Sequence, residues 1–225
     1  MFNEEEGIPR LLDKLDAVGE KLRDYALRII LVDDGSTDST WDLLESASSD
    51  RDNTVLIRHQ ENRGIAAAIM TGIRAAKTEV VCSIDADCSY DPQDIEKMVP
   101  LLDGAAMVTA SPYHPDGRVV AVPWWRLFLS RNLSRLYSLV LRKKLYTYTS
   151  CFRAYRRSVV ADMHLDHGDF LGIAELAIRL IRSGEQVVEF PAVLGTRTLG
   201  QSKMKILRTV RRQAGLVAAV VRKRI

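Results

Sequence analysis

Three short apolar runs, each followed by a polar turn, constrain the fold of this chain most strongly. The runs cover residues 27–32, 54–57 and 80–84, and their β-branched side chains are typical of strands. An Ala-rich helical pattern over residues 65–77 separates the second run from the third. Strand–helix–strand units of this kind join parallel strands and cover both faces of a sheet with helices. The pattern therefore predicts an α/β fold with a mostly parallel central sheet flanked by helices.

Polar turns follow all three predicted strands. They read Asp-Asp-Gly-Ser at 33–36, Asn-Arg-Gly at 62–64 and Asp-Ala-Asp at 85–87. The carboxyl ends of parallel strands lie at one edge of the sheet, where ligands of such folds bind. We therefore expect the three turns to form one site.

The Asp85-Ala86-Asp87 turn is the candidate metal centre. Two carboxylates on one short turn suit Mg²⁺ or Mn²⁺ held jointly with a substrate diphosphate. Such a metal neutralises charge on a leaving group, which gives Asp85 and Asp87 a catalytic role. An isolated Asp-x-Asp is often only a solvated turn, but its position at a strand end favours the metal site.

Asp33 and Asp34 are the candidate nucleotide contacts. Their carboxylates can accept hydrogen bonds from a base or from ribose hydroxyls, while Gly35 lets the backbone turn tightly. The alternative is an Asx-type turn that caps the next helix. Two consecutive acids favour the binding role.

Charge divides the chain into two halves. Residues 1–116 carry 11 Lys and Arg against 23 Asp and Glu, a net charge of −12, whereas residues 117–225 carry 21 against 6, a net charge of +15. Within residues 117–161 there are ten Lys and Arg and no acid. The second half is therefore predicted to bind anions.

Two basic amphipathic helices are predicted in this second half. Each helix carries a stripe of apolar side chains along one side. The second helix runs from residue 205 to the end of the sequence. Such helices lie at membrane surfaces, or they pack their apolar stripe on the protein core. No apolar run approaches the ~20 residues needed to cross a bilayer, and the acidic start is unlike a signal peptide. These features predict a cytoplasmic protein at the membrane periphery. The stripes comprise Trp125, Leu129, Leu133, Leu136 and Val140 in the first helix and Ile206, Val210, Val217 and Val221 in the second.

Taken together, these motifs resemble family 2 glycosyltransferases of the GT-A (Rossmann-like) fold. The resemblance rests on the order and spacing of 2–5 (Phe-Asn-Glu-Glu), 32–40, 58, 62–64, 72, 85–87 and 92. It implies a metal at Asp85 and Asp87 and a nucleoside diphosphate sugar, with GDP or UDP, as donor. The implied donor-binding residues are Phe2, Asn3, Glu4, Asp33, Asp34, Asn62, Arg63, Gly64 and Asp85.

The second half is similar to the polyprenyl-phosphate branch of that family, which includes dolichol-phosphate mannose synthases. The matching segments are 125–126 with 130, 150–153, and 197 with 200–203. This resemblance implies that Arg126, Arg197, Ser202 and Lys203 bind the acceptor phosphate. The chain departs from the pattern at 111–113, where Pro replaces an expected Arg, and at its start, where the family's first strand would precede Phe2.

The implied reaction is the inverting, non-processive transfer of one hexose or hexosamine to a polyprenyl phosphate at the cytoplasmic membrane face. Residues 1–116 would form the nucleotide-sugar half, residues 117–204 the acceptor half, and residues 205–225 a C-terminal helix. A phosphate oxygen is already anionic and needs no strong base. Asp169 or Glu175 would serve as the base for a hydroxyl acceptor, although such acids commonly just start a helix.

Two other functions remain open at the sequence level. One is a family 2 transferase with a soluble or cell-wall sugar acceptor. The other is a non-catalytic nucleotide or nucleic-acid binding module, which the +15 charge of residues 117–225 favours. The helical spacing of the aromatics suits a membrane or a core better than base stacking, so we expect no nucleic-acid partner.

Overall fold

The computed structural model describes residues 1–49, 51–195 and 206–222, with the side chains of 206–211 outside the description. Helices and strands alternate along most of this chain. The helices are α1 (Ile8–Lys21), α2 (Thr40–Ser48), α3 (Ile65–Ala75), α4 (Ile95–Met98), α5 (Trp124–Leu141), α6 (Arg157–Val160), α7 (Phe170–Arg182) and α8 (Ile206–Val221). The strands are β1 (Ile29–Asp33), β2 (Thr54–Arg58), β3 (Val80–Ser83), β4 (Met107–Ser111), β5 (Arg118–Val119), β6 (Arg153–Arg156), β7 (Val187–Pro191) and β8 (Val193–Leu194).

The strands form parallel pairs, as the crossover pattern predicts, with one exception. β1 pairs with β2 in parallel, and β4 pairs with β7 in parallel. The larger sheet has the order β3-β6-β4-β7, and β6 runs antiparallel to both of its neighbours. A short parallel pair, β5 and β8, lies apart. The α/β fold is confirmed, and β6 is an addition that the pattern does not predict.

β6 escapes sequence prediction because its composition, Arg-Ala-Tyr-Arg, is unlike a buried strand. Arg153 is nevertheless fully buried, and its guanidinium donates to the carbonyls of Ile173 at 2.8 Å and Tyr148 at 2.7 Å. Arg156 donates in the same way to the Leu102 carbonyl. Backbone carbonyls thus satisfy donors that hydrophobicity patterns count as surface groups.

One core joins the two halves of the chain. Its largest apolar cluster combines residues of α3, α5, α7 and α8. Within α8, Val217 is buried in this cluster, whereas Val221 is 62% exposed. For Val217 the core-packing alternative is therefore correct, while the side chains of Ile206 and Val210 lie outside the description.

The predicted stripe of α5 divides between core and surface. Leu133 and Val140 pack against the main core, whereas Trp125, Leu129 and Leu136 are exposed. The inward face of α5 is instead centred on Ser134 and Tyr137, which are buried. Among the described helices, none is long and apolar enough to cross a bilayer.

A large apolar cavity separates β1 from β3. Within the described ranges, no ladder joins these two strands. At the site end of the gap, the Met1 ammonium donates to the Val32 carbonyl at 2.6 Å, and the Asp34 amide donates to the Met1 carbonyl at 2.7 Å. This is the hydrogen-bond pattern of parallel strands. The cavity has a volume of about 1310 Å³.

Candidate functional site

The three polar turns meet at one end of this cavity. The turn after β3 faces the turn after β1 and the loop that precedes α3, because the carboxyl ends of these strands share an edge. The polar residues of these segments that line the cavity are Glu4, Asp34, Asn62, Asp85, Asp87, Asp169 and Arg212, and Phe2 and Gly64 line it as well. The structure thus brings together residues from all three turns.

Asp33 organises the turn after β1. Its carboxylate is fully buried and accepts hydrogen bonds from the Ser36 amide at 3.3 Å and from the Ser36 hydroxyl. The Arg58 guanidinium lies 3.3 Å from the same carboxylate. Gly35 has φ of +73°, and a Cβ there would approach the Glu61 carbonyl carbon to 2.5 Å. Asp33 therefore shapes the turn, and its direct contact with a nucleotide stays a prediction.

Asp34 ties the same turn to the start of α3. Its two oxygens accept from the Arg63 amide at 3.0 Å and the Gly64 amide at 2.8 Å. His59 Nδ1 lies 2.7 Å from Asp34, and His59 Nε2 lies 2.9 Å from the Thr71 hydroxyl. The sequence analysis misses His59, although a single His two residues after the second predicted strand could have indicated it.

The N-terminal segment is joined to this turn by reciprocal hydrogen bonds. The backbone amide of Asn3 donates to the Ser36 hydroxyl at 2.9 Å, and the backbone amide of Thr37 donates to Asn3 Oδ1 at 2.9 Å. The Glu4 amide donates to the Thr40 hydroxyl at 2.8 Å. Asn3 and Glu4, both predicted to bind the donor, therefore help to build the site.

Asp85 and Asp87 lie half-buried on the turn after β3. Asp87 accepts one hydrogen bond from the Ser89 amide at 3.0 Å. Burial raises the pKa of the neighbouring Cys151 thiol well above its usual value, and the Asp85 carboxylate adds to that rise. Cys151 is thus a neutral thiol beneath the carboxylates, which the sequence shows only as part of the segment 150–153.

The donor set of this turn fits a divalent metal shared with substrate. Mg²⁺ is commonly bound by one or two protein carboxylates together with phosphate oxygens and waters. Across the described residues, no group of three or more His, Cys, Asp or Glu could hold a metal by itself. A divalent metal on Asp85 and Asp87 would therefore need further ligands, such as phosphate oxygens or water.

Asp169 caps α7 and also lines the cavity. Its Oδ1 accepts from the Leu171 amide at 3.2 Å, and its Oδ2 forms an ion pair with Arg212 of α8. The helix-start role considered for Asp169 is therefore present. A role as general base stays a prediction.

Glu175 does not lie at a helix start but inside the second turn of α7, fully buried. Its carboxylate accepts from the Asp166 amide at 2.9 Å, from His167 Nδ1 at 2.8 Å and from Arg179 Nε at 2.7 Å. Burial raises the pKa of Glu175, but these hydrogen bonds outweigh burial and lower the pKa overall. A buried carboxylate of low pKa whose lone pairs are occupied is poorly suited to accept a proton. The contacts of Glu175 therefore do not favour it as the base for a hydroxyl acceptor, and its role stays untested.

Arg126 lies in the first turn of α5, outside the described lining of the cavity. Its guanidinium stacks 5.3 Å from the centre of the Trp125 ring. Its buried Nε has no hydrogen-bond partner among the described residues. The other predicted phosphate ligands, Arg197, Ser202 and Lys203, lie outside the described residues, so the acceptor-phosphate cluster stays a prediction.

Comparison with known proteins settles the family. The family model described as "Glycosyl transferase family 2" matches residues 1–163. The chain belongs to glycosyltransferase family 2. As a family 2 member, it is 32% identical over 212 residues to polyprenol monophosphomannose synthase of Mycolicibacterium smegmatis, covering 90% of this chain and 78% of that protein. The sequence-based assignment is confirmed.

Two further relatives have similar names. Dolichol-phosphate mannosyltransferase of Pyrococcus furiosus is 30% identical over 207 residues, covering 91% of this chain and 57% of that protein. Undecaprenyl-phosphate 4-deoxy-4-formamido-L-arabinose transferase of Yersinia pestis is 30% identical over 225 residues, covering 98% of this chain and 65% of that protein. This family 2 chain thus spans less than two thirds of the length of both relatives.

The fold of this family 2 chain matches a solved structure. Glucosyl-3-phosphoglycerate synthase from Mycobacterium tuberculosis, in complex with Mn²⁺, UDP and phosphoglyceric acid, superposes with a TM-score of 0.71. The sequence identity is 17%, and the match covers 97% of this chain and 75% of that one. The likeness confirms the GT-A fold.

Proposed function

We propose that this protein transfers one hexose or hexosamine, with inversion, from a GDP- or UDP-sugar to a polyprenyl phosphate at the cytoplasmic membrane face. The observation that carries the proposal is the shared lining of one cavity by Asp34, Asn62, Asp85 and Asp87. The groups proposed to bind the nucleotide and the metal therefore lie within reach of a single substrate molecule. The names of the relatives support the polyprenyl phosphate acceptor.

On this proposal, the donor is held by groups that the fold fixes in advance. Asp33 and Asp34 are already hydrogen-bonded within the turn, which keeps the turn rigid around the nucleotide. Asp85 and Asp87 would hold Mg²⁺ or Mn²⁺, which supplies neutralisation of the negative charge on the departing diphosphate. Preorganised groups of this kind need no rearrangement during the reaction.

The acceptor chemistry suits a site without a strong base. A phosphate oxygen attacks the anomeric carbon from the face opposite the diphosphate, and no proton has to be removed. The saturated hydrogen bonding of Glu175 agrees with this requirement. We further propose that residues 1–116 bind the donor and residues 117–204 the acceptor, with Arg126, Arg197, Ser202 and Lys203 on its phosphate.

The test is a transfer assay with a panel of radiolabelled GDP- and UDP-sugars. Each donor is incubated with undecaprenyl phosphate and Mn²⁺, and the product is extracted into organic solvent. Label in the organic phase that depends on the metal and the lipid phosphate is the expected result. Label that stays in water on a soluble sugar acceptor would instead support the soluble-acceptor transferase. A protein that binds nucleotides but turns over no donor in any combination would contradict an enzymatic function.

A further inference from the structure

Three basic side chains belong to the described lining of the cavity, but they lie at different ends of it. These residues are Arg28, Lys77 and Arg212. β1 ends and α3 begins at the polar turns, so Arg28, directly before β1, and Lys77, two residues after α3, lie at the opposite end. Arg212 of α8 instead forms an ion pair with Asp169. The position of Asp169 therefore decides where the third cation lies.

Asp169 adjoins the turn that is proposed to hold the nucleotide. A Cβ added to Gly64 would come within 2.8 Å of the Asp169 Cα, and the Gly64 amide donates to Asp34. Oδ1 of Asp169 accepts from the Leu171 amide at 3.2 Å, and Oδ2 pairs with the Arg212 guanidinium. Among the described lining residues, Arg212 is thus the cation at the site end of the cavity.

The loop before Asp169, residues 166–168, is held on two sides. The buried carboxylate of Glu175 accepts from two backbone amides of this loop, at 2.9 and 3.0 Å. On the other side, the Gly168 carbonyl accepts from the Ala67 amide of α3 at 2.8 Å. Asp169 and the guanidinium that it pairs with are therefore placed by the frame of the protein and not by a mobile side chain alone.

α8 contacts α7 through an arginine at each end of its described side chains. At one end Arg212 pairs with Asp169, and at the other end Arg182 of α7 donates to the Val220 carbonyl at 3.1 Å. Between them Gln213 is buried and accepts from a tyrosine hydroxyl of α5. Arg182 does not belong to the described lining of the cavity, whereas Arg212 does. Both arginines join the same two helices, but only Arg212 faces the site.

We propose that Arg212 is a substrate-binding residue whose guanidinium donates hydrogen bonds to phosphate oxygens, either of the donor diphosphate or of the acceptor phosphate. The inference rests on the proposed function for the identity of the phosphate. In the described residues Asp169 takes one N–H of the guanidinium, which has five, and the Arg212 side chain is 39% exposed. The remaining N–H groups form a fork that fits two oxygens of one phosphate.

The charge of the site end gives this cation its function. Asp34, Asp85, Asp87 and Asp169 all line the cavity, and their carboxylates repel an entering phosphate. A cation fixed beside them offsets that repulsion. Because Arg212 comes from α8, the C-terminal helix would complete the substrate site as well as pack on the core.

Calorimetry with UDP and with GDP, each in the presence of Mn²⁺, tests the donor source of the phosphate. Arg212→Gln should weaken binding of the preferred nucleoside diphosphate at least about tenfold, because hydrogen bonds between charged groups are lost. Uridine and guanosine, which carry no phosphate, should bind the variant and the wild type equally. Arg212→Lys should recover part of the loss, because Lys keeps the charge without the fork.

Transfer kinetics with farnesyl phosphate test the acceptor source. If the acceptor phosphate is the ligand, Arg212→Gln should raise the KM for farnesyl phosphate at least about tenfold and leave the affinity for the nucleoside diphosphate unchanged. The matched control for both measurements is Arg182→Gln, which removes an arginine contact between α7 and α8 away from the cavity. Its Tm should fall, whereas both phosphate affinities should keep their wild-type values.

Two outcomes would overturn the role of Arg212. One is wild-type affinity of Arg212→Gln for both the nucleoside diphosphate and farnesyl phosphate. The other is an equal loss of affinity in Arg182→Gln, which would mean that Arg212 only docks α8. Transfer by the wild-type protein together with either outcome would leave the proposed function standing. Binding of UDP or GDP that depends on Arg212, without transfer to any lipid phosphate, would do the reverse.

Discussion

The turn after β1 and the outer face of α5 differ in how their charged side chains are paired. At the turn, the buried carboxylates of Asp33 and Asp34 are paired with amides, Ser36, Arg58 and His59 of the same chain. On α5, the exposed cations Arg131 and Arg135 have no carboxylate partner in the described residues. Internal pairing makes a rigid frame, whereas unpaired surface charge leaves attraction available for an external anion.

The largest effect should come from Asp87→Ala, on the turn after β3. Loss of a direct metal ligand should lower kcat at least about a thousandfold, the upper range for removing one group that stabilises developing charge. The far-ultraviolet circular dichroism should not change, since Asp87 lies on a turn. Asp85→Ala should be similarly severe.

Asp103→Ala, which removes an exposed carboxylate elsewhere, is the matched control and should retain activity. Full activity of wild-type protein in EDTA, or wild-type turnover in Asp87→Ala, would remove the metal from the proposal.

Asp34→Asn tests whether Asp34 acts by stabilising the turn after β1 or by contacting the donor directly. The amide cannot accept from Arg63, Gly64 and His59 together, so the free energy of unfolding should fall by about 2–3 kcal/mol. Donor affinity should fall with it because the turn loosens. Urea unfolding and calorimetry with the nucleotide sugar measure both quantities. Weaker donor binding with unchanged stability would instead indicate a direct contact.

The cavity between β1 and β3 gives the third test. A five-residue strand-forming segment, as long as β1, is fused ahead of Met1. It should stabilise the protein by about 2 kcal/mol, or roughly 2–4 °C in Tm for each kcal/mol, and it should tighten donor binding. The same segment with a central proline is the control, because proline cannot complete the ladder. Equal Tm values for the two fusions would show that the cavity does not accept a strand.

Arg126→Lys should have the smallest effect. Lys keeps the charge but loses the planar fork that binds phosphate through two hydrogen bonds. The KM for lipid phosphate should rise about tenfold, the equivalent of ~1.4 kcal/mol, while donor affinity measured by calorimetry stays unchanged. The control is Arg142→Lys, at the residue that directly follows α5. If Arg126→Lys instead changes only the donor affinity, the hypothesis of a transferase with a soluble sugar acceptor is favoured.

The sequence predicts the strand ends better than the contacts made there. Hydrophobic runs place β1, β2 and β3 within two residues because burial and periodicity decide strands. β6 is hidden because its arginines are satisfied by carbonyls of distant segments, such as Ile173. The pairing of Asp34 with His59 cannot be predicted from the sequence either, because it depends on the register between β1 and β2. Periodicity also cannot decide which side of α5 faces water, because apolar residues lie on both sides.

The hydrogen bond between the Met1 nitrogen and the Val32 carbonyl has a practical consequence for anyone who prepares this protein. The Met1 nitrogen is buried against β1, and its own carbonyl receives the amide of Asp34. Any group joined to that nitrogen, whether an affinity tag, a formyl group or the scar of a protease site, would lie against β1 beside the candidate site, whose cavity Met1 and Asp34 both line. Labels and immobilisation chemistry placed at the amino end would therefore disturb the candidate site, and protein preparations that differ only there should not be treated as interchangeable in kinetic work.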